Sequence, residues 1–442
     1  MLYRKIENPI RQFLQGPRDK VLLVQGARQI GKSYIIRHVG RSLFPNFIEL
    51  NLVEDKEGDR QFENVHTVED FYLRLSLVAG EKLNGNRDDT LIFLDEIQEY
   101  PQLLTLLKFL NADRRFSYVA SGSLLGITLK TTTSIPIGSI RILDMYPLDF
   151  SEFLRANSVG ELAIDTISKK CSRGESVDEA MHTRLINLWK RYLLVGGLPD
   201  AVNTYLDTKN IIAVREIQRD IIRLYAADAS KYDKEHKLVI KRVYDLIPSN
   251  MENKHKRIIL REIEDKKNVR YSNYLEEFEY LVSSGIALEV RAISNPKYPL
   301  AESVTKNLLK LYLNDPGLLS AILFGKDAEA ILDDSLSINL GSLYETAIAC
   351  QLTASGNQLF YYDNKKKGEV DFLVNDRQLQ TVLPIEVKSG KDYKIHSAID
   401  SFVDTPDYGI KRAVVLSNNR QIETIGKIIH MPIYYSPFLL TE

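Results

Sequence analysis

The segment that most constrains the fold of this chain is Gly26–Ser33, which reads Gly-Ala-Arg-Gln-Ile-Gly-Lys-Ser. An apolar run typical of a buried strand, Val21–Val24, precedes it, and Ser33–Leu43 has the periodicity of an amphipathic helix. A glycine-rich turn between a strand and a helix lets backbone N–H groups point at an anion, and the helix N-terminus adds partial positive charge. The sequence therefore predicts a phosphate-binding loop of the pattern G-x-x-x-x-G-K-[ST].

The side chains of this loop predict ATP and Mg²⁺ as cofactors. Lys32 is expected to reach the β- and γ-phosphates, and the Ser33 hydroxyl is expected to bind the Mg²⁺ that bridges them. The residues expected to surround the phosphates are Gly26, Ala27, Arg28, Gln29, Ile30, Gly31, Lys32 and Ser33.

A second apolar run, Leu91–Leu94, ends in two carboxylates, Asp95 and Glu96. Acidic residues at the end of a strand often cap the next helix, but after a phosphate-binding loop they have a catalytic interpretation. Asp95 is expected to hold Mg²⁺ through water, and Glu96 to orient or deprotonate the attacking water. Ser121 follows the run Tyr118–Ala120. One interpretation is that its hydroxyl hydrogen-bonds to that water or to the γ-phosphate, and the alternative is that it only ends a strand.

Short apolar runs alternate with helical patterns through the first third of the chain, which predicts an α/β fold with a parallel sheet covered by helices. Helical periodicity dominates afterwards, with Leu185, Leu188 and Trp189 on one face before Gly196–Pro199 interrupts it. We expect four parts: a P-loop ATPase domain over 1–150, a helical lid or connector over 151–245, a winged-helix-like unit over 246–310, and a second α/β domain over 311–442.

The expected winged-helix-like unit combines a basic helix over Lys256–Lys267, a helix over Ser272–Ser284 and a strand over Ile286–Ile293. Its basic residues are Lys254, His255, Lys256, Arg257, Arg261, Lys266, Lys267 and Arg270. These cations either neutralise phosphates of DNA or form a solvated helix face, since acidic residues are interspersed among them.

Carboxylates and a lysine recur at strand spacing near the C-terminus. Glu369 and Asp371 lie on one face of a predicted strand, and Glu386 and Lys388 lie on one face of the next. Asp371 and Glu386 are candidate ligands of a second divalent metal, Mg²⁺ or Mn²⁺, and Lys388 is a candidate to position water or stabilise charge. Glu345, on the preceding helix, is a further candidate ligand. Solvated cross-strand ion pairs are the alternative interpretation.

Several segments together resemble a family of prokaryotic AAA-type ATPases that carry a C-terminal domain of unknown function. They are Val24–Ser33, Phe93–Gln98, Pro147–Leu154, Tyr192–Asp200, Leu311–Leu318 and Gly368–Leu373. The resemblance implies an AAA-like ATPase, a helical and winged-helix middle, and an end similar to the restriction-endonuclease fold with its PD-(D/E)xK site. Members often have a Gly-Arg pair where this chain reads Gly138-Ser139-Ile-Arg141, so Arg141, Arg219 and Arg223 all stay candidates for an arginine finger.

Composition narrows the class of protein. The 58 Lys and Arg residues balance 59 Asp and Glu residues, which gives no general case for a nucleic-acid or membrane binder. The two cysteines, Cys171 and Cys350, are too few for a disulfide framework, so a reducing, cytoplasmic location is expected. The apolar runs are shorter than the ~20 residues that span a bilayer.

Two functions fit these observations. One is an ATPase coupled to a metal-dependent nuclease that acts on DNA or RNA. The other is a nucleotide switch that binds a protein partner or nucleic acid through a catalytically inactive nuclease-like domain. A homo-oligomer is compatible with both.

Overall fold

The computed structural model describes residues 1–123, 137–229, 237–253, 256–264, 270–325, 327, 329–332, 339–364, 368–390 and 397–440. Two compact units divide the chain. One comprises Tyr3–Tyr146 with Ser283–Gly285, and the other comprises Met1–Leu2, Pro147–Val282 and Ile286–Glu442. In the described part of the chain, every helix is too short or too polar to span a membrane.

The N-terminal unit is built on a five-stranded sheet in which all strands are parallel. The strands are β1 (Val21–Gln25), β2 (Asn46–Asn51), β3 (Thr90–Asp95), β4 (Ser117–Gly122) and β5 (Ile140–Asp144). Their order in the sheet is β2-β3-β4-β1-β5. The prediction of a parallel α/β sheet is confirmed, and the apolar runs Val21–Val24, Leu91–Leu94 and Tyr118–Ala120 lie in β1, β3 and β4.

Helices cover this sheet. They are α1 (Glu7–Gln15), α2 (Lys32–Leu43), α3 (Leu52–Glu57), α4 (Val68–Ala79) and α5 (Pro101–Asp113). The buried faces of α4 and α5 pack with β1–β4 in one apolar core that includes Phe71, Leu75, Leu104 and Leu107. Because parallel strands carry their carboxyl ends on one edge, β1, β3 and β4 present their last residues side by side.

The second unit begins with helices. They are α6 (Phe150–Ala156), α7 (Glu161–Arg173), α8 (Glu179–Val195), α9 (Pro199–Thr208), α10 (Ile211–Ala229) and α11 (Lys237–Glu252). Asp149 caps α6 in a capping box with Glu152. Gly196, with φ 75°, ends α8 as expected. Helical structure therefore occupies the segment in which the sequence predicted a lid or connector.

The rest of this unit is an eight-stranded mixed sheet with helices around it. The strands are β6 (Ala287–Ile293), β7 (Val304–Leu313), β8 (Phe360–Asn364), β9 (Gly368–Asp376), β10 (Thr381–Val387), β11 (Ala413–Ser417), β12 (Glu423–Ile425) and β13 (Ile428–Pro432). Their order is β12-β13-β11-β10-β9-β8-β6-β7. The helices are α12 (Leu260–Ile263), α13 (Leu275–Ser283), α14 (Pro316–Phe324), α15 (Glu329–Leu332), α16 (Gly341–Ala354) and α17 (Ser397–Val403).

Three features differ from the expectations for the middle of the chain. Of the helix predicted over Lys256–Lys267, only Leu260–Ile263 is helical within the described residues. Residues 256–259 are non-helical, because Ile258 N donates to Leu309 O of β7 (3.2 Å) and not to a carbonyl of its own helix. The strand predicted over Ile286–Ile293 is present as β6, but it pairs with β7 and β8 in the large sheet. The boundary expected between residues 310 and 311 falls inside β7.

Candidate functional site

The loop between β1 and α2 has a backbone that requires glycine. Gly26 has φ 152° and Gly31 has φ 92°, both in the region that L side chains disfavour. A Cβ atom on Gly26 would lie 2.2 Å from Met145 O, so no side chain fits there. Gly31 is the N-cap of α2, and the first N–H groups of that helix therefore face the loop. The backbone is that of an anion-binding loop.

An arginine that sequence reasoning missed fixes this loop. Arg4 Nη1 donates to Ile30 O at 2.8 Å, and its Nη2 donates to Tyr146 O. The Arg4 side chain is buried, and its guanidinium ties a carbonyl within the loop to a carbonyl that follows β5. Arg4 lies far before the loop in the sequence, and no sequence pattern indicated this contact.

Lys32 is the first residue of α2 and is only 4% exposed. Its ammonium donates to the loop carbonyls Gly26 O (3.0 Å) and Ala27 O (2.8 Å), and it lies 3.9 Å from Glu96 Oε1. Burial lowers the pKa of Lys32, an effect that the charges of Glu96 and Asp95 oppose. The loop thus holds a desolvated cation whose partners are weak carbonyl acceptors, which suits it to donate hydrogen bonds to phosphate oxygens.

Asp95, at the end of β3, joins two hydroxyls. Its Oδ1 accepts from Ser33 Oγ at 2.9 Å and from Ser121 Oγ. Burial raises the pKa of Asp95, and these two hydrogen bonds oppose the rise. The structure therefore brings together Ser33, Asp95 and Ser121, three of the residues selected from the sequence.

Glu96 has the left-handed backbone conformation, φ 56° and ψ 51°, which is disfavoured for a non-glycine residue. Its Oε2 accepts from Gln98 Nε2 and from Ser123 Oγ (3.1 Å), while Oε1 faces Lys32. Gln98 and Ser123 were not predicted, although both lie within two residues of a predicted site residue. The strained backbone and these two donors aim the carboxylate toward the loop.

The arginine-finger candidates lie on different elements. Arg141 is on β5 with its guanidinium 5.9 Å from the Phe13 ring. Arg219 and Arg223 are on α10, where Arg219 Nε donates to Arg215 O (3.2 Å) and Arg223 pairs with Asp220 (3.5 Å). None of these contacts identifies one of the three residues as the arginine finger.

The C-terminal carboxylates lie on adjacent elements of the second unit. Asp371 on β9 accepts from the Val387 N–H of β10 at 2.9 Å, and Glu386 Oε1 accepts from Lys388 Nζ at 3.0 Å. Glu345 on α16 accepts from Tyr312 OH at 3.1 Å and pairs with Lys256. The predicted residues Glu345, Asp371, Glu386 and Lys388 therefore belong to one cluster.

Charges in this cluster are crowded and buried. Burial raises the pKa of Glu386 to about 8, and the Asp371 charge adds to the rise while Lys388 opposes it. Burial and then Asp371 also raise the pKa of Glu345, against the lysines Lys256 and Lys310. Glu386 Oε2 is buried and has no hydrogen-bond partner. One carboxylate oxygen is thus left unsatisfied, a costly arrangement for a buried polar atom.

The observed arrangement does not by itself support the predicted second divalent-metal site. Among the described residues, no three His, Cys, Asp or Glu side chains are placed so that they could hold a metal together. The reason is visible in the ion pairs: Glu345 faces Lys256, Glu369 faces Lys310 and Glu386 faces Lys388. Lysine ammonium groups supply the positive charge that the sequence analysis assigned to a metal.

The parallel sheet and the loop that follows its first strand define the N-terminal unit as an ATP-binding P-loop ATPase domain of the AAA type. Residues 18–154 match the family described as an AAA domain. Two families described as domains of unknown function match later segments: DUF8612 over residues 186–329 and DUF4143 over residues 340–435. No curated protein matches the chain.

Solved structures that match this chain include a Walker-type ATPase of Pyrococcus abyssi, with 13% identity and a TM-score of 0.45, covering 73% of this chain and 96% of that one. The Orc1 protein of Aeropyrum pernix in complex with DNA matches at 15% identity and a TM-score of 0.29, covering 72% of this chain and 92% of that one. The Hsp104–ADP complex of S. cerevisiae matches at 13% identity and a TM-score of 0.28, covering 64% of this chain and 38% of that one.

Proposed function

We propose that this chain hydrolyses ATP at Gly26–Ser33, with Glu96 as the residue that acts on water. The observation that carries the proposal is the position of Glu96, whose Oε1 lies 3.9 Å from Lys32 Nζ beside the hydrogen-bonded Ser33 and Asp95. A carboxylate next to the phosphate-binding lysine is placed to orient an attacking water.

The neighbouring side chains support separate roles. Lys32 and the first N–H groups of α2 would bind the phosphates, and Ser33 with Asp95 would hold Mg²⁺. When bound, Mg²⁺ neutralises charge that develops on the phosphate oxygens. Gln98 and Ser123 both donate to Glu96 Oε2 and so fix the direction of Oε1. Ser121 holds Asp95 and is thus a positioning residue in this proposal.

Replacement of Glu96 by Gln separates binding from turnover. We expect Glu96→Gln to bind Mg·ATP with near-parental affinity and to release phosphate at least ~10²-fold more slowly, the scale of a positioned base. Glu99→Gln is the matched control, because Glu99 is three residues away and pairs with Lys56 at 3.0 Å. Phosphate release by Glu96→Gln within a factor of about two of the parent rate would remove Glu96 from this role.

We propose further that Asp371 and Glu386 bind a divalent metal in a nuclease-like C-terminal domain. The unsatisfied, buried Glu386 Oε2 favours it, because this oxygen has no donor in the observed arrangement. The element order α16, β8, β9, β10, α17, β11, with β9 and β10 antiparallel and β10 and β11 parallel, supports the restriction-endonuclease-like interpretation. DNA or RNA is then the substrate class, with Lys388 next to the metal.

Cleavage distinguishes this enzyme from a nucleotide switch that binds a protein partner. We expect Mn²⁺-dependent cleavage of DNA or RNA by the parent, no cleavage by Asp371→Ala with Glu386→Ala, and unchanged ATP hydrolysis in that double variant. Glu423→Gln, a change on β12, is the control. Parent protein that cleaves neither nucleic acid, with ATP hydrolysis intact, would favour the switch.

A further inference from the structure

Three lysines enter the C-terminal carboxylate cluster from three places in the chain. Lys388 follows β10, Lys310 lies on β7, and Lys256 lies in the non-helical segment 256–259. Each pairs with one carboxylate: Glu386, Glu369 and Glu345 respectively. The cluster thus carries its own positive charge.

Lys256 differs from the other two lysines in its backbone. Its φ of 47° lies in the left-handed region, where a non-glycine residue is strained. The segment is fixed on its C-terminal side, since Ile258 N donates to Leu309 O (3.2 Å) and Ile259 N donates to Asn250 Oδ1 (3.3 Å). These anchors hold the strained residue beside Glu345.

The adjacent residue shows that the segment is directed inward. Arg257 pairs with Asp363 of β8, and its guanidinium lies 5.8 Å from the Tyr361 ring. The side chains of Lys256 and Arg257 are only 20% and 26% exposed. Two cations of the basic stretch are thus committed to carboxylates of their own unit.

Lys256 is the lysine that a metal would have to displace in order to reach Glu345. Lys310 is fully buried on an interior stretch of β7, and Lys388 is held two residues from Glu386 on the same strand end. Lys256 belongs to neither helix nor strand, and its side chain is partly exposed. A cation that approached Asp371 and Glu386 would compete with its ammonium for Glu345.

We propose that the ammonium of Lys256 is the resident cation of the C-terminal carboxylate cluster, and that a divalent metal gains Glu345 only when Lys256 is displaced. This inference rests on the proposed metal site at Asp371 and Glu386. This role of Lys256 explains why, among the described residues, the carboxylates come together without forming a metal site. Lys256 thereby sets the metal affinity of the cluster.

The test is a Mn²⁺ titration of the full, nucleotide-free chain, followed by electron paramagnetic resonance of the free ion. We expect Lys256→Met to bind Mn²⁺ at least ~10-fold more tightly than the parent, because a positive charge next to the ligands is removed. Lys256→Arg keeps the charge and should stay near the parent affinity. Addition of Glu386→Gln to Lys256→Met should abolish the increase in Mn²⁺ affinity.

The outcomes separate this inference from the metal site on which it rests. If parent and Lys256→Met bind Mn²⁺ equally, and Glu386→Gln abolishes binding in both, the metal site stands and the role of Lys256 is refuted. If neither binds Mn²⁺, both proposals fall. Tighter binding by Lys256→Met that Glu386→Gln does not reduce also refutes the inference, because the metal then lies elsewhere.

A measurement on the parent protein covers the case in which Lys256→Met does not fold. Lysines are acetylated with an N-hydroxysuccinimide ester, with and without saturating Mn²⁺, and mapped by mass spectrometry. Displacement of Lys256 should raise its labelling rate at least ~5-fold, since its ion pair no longer protects it. Lys310 is the internal control and should stay unlabelled. An unchanged rate at Lys256 would overturn the inference.

Discussion

The hydroxyl of Ser121 on β4 donates to Asp95 Oδ1 on β3, so a side chain of one strand orients the carboxylate at the end of its neighbour. The same oxygen accepts from Ser33. Ser121 therefore acts on the carboxylate of Asp95, which neither interpretation from the sequence included. The backbone N–H of Glu96 also donates to Ser121 Oγ at 3.4 Å.

Loss of this hydroxyl should slow ATP hydrolysis more than it weakens ATP binding. We expect Ser121→Ala to lower the rate of phosphate release about 10-fold, the worth of one hydrogen bond to a charged group, while Lys32 still binds the nucleotide. Ser117→Ala is the control on the same strand, where Ser117 donates to Arg87 O. Equal effects of the two changes would mean that Ser121 only supports the strand.

Removal of the Lys32 ammonium should weaken ATP binding without destabilising the protein. We expect Lys32→Met to lower ATP affinity at least ~10²-fold, because a desolvated charge–phosphate contact is lost. Its melting temperature without nucleotide should not fall, because burial disfavours the charged lysine and Met fills similar space. Lys108→Met, on the exposed face of α5, is the control for calorimetric titration. Unchanged affinity in folded Lys32→Met would contradict the loop assignment.

Arg4 should contribute to both stability and nucleotide affinity. Arg4→Met removes the bonds to Ile30 O and Tyr146 O, and we expect it to cost about 1–3 kcal/mol in the free energy of unfolding and to weaken ATP binding. Arg11→Met removes a partly exposed pair with Glu7 on α1 and an exposed bond to Ser42 Oγ, and it should cost less than ~0.5 kcal/mol. Denaturant titration with and without ATP measures both effects, and a similar cost for the two variants would contradict the account.

The C-terminal cluster should give the metal-free protein a pH dependence. Glu386 has a raised pKa of about 8 in the folded state against an ordinary value of 4.5, from burial and from Asp371 on β9 and Glu345 on α16, against Lys388. The proton on the Glu386 carboxyl stabilises the folded state fully below pH 4.5, and this stabilisation is lost as pH rises through 8. The free energy of unfolding should therefore fall with pH in that window, by up to about 1.4 kcal/mol per pH unit.

Glu386→Gln should flatten this dependence. Thermal unfolding in EDTA between pH 4.5 and 8.5 is the measurement. The melting temperature of the variant should increase relative to that of the parent as pH rises. Glu276→Gln changes an exposed glutamate on α13 and should leave the parent profile intact. Parallel profiles of parent and Glu386→Gln would show that Glu386 does not titrate in this range.

Local sequence was sufficient to predict that Ser33, Asp95 and Ser121 lie close together. The segments that carry them each end or follow an apolar run, and parallel strands bring those ends together. Arg4, Gln98 and Ser123 were missed because their roles depend on tertiary contacts with no spacing of their own. The inward direction of Lys256 was hidden for the same reason, since a basic stretch looks alike whether it faces solvent or a carboxylate. Pairing of β6 with β8 joins segments about seventy residues apart, which periodicity cannot reveal.

The continuity of the eight-stranded sheet decides which fragments of this protein can be handled alone. A piece starting at residue 340 would keep β8 but lose β6, its hydrogen-bonded neighbour. The row of amide and carbonyl groups left open on β8 would then pair with other copies, and aggregation is the expected outcome. A piece that starts before Asn250 retains both that neighbour and Lys256, so it keeps the sheet edge covered and the carboxylates charge-balanced.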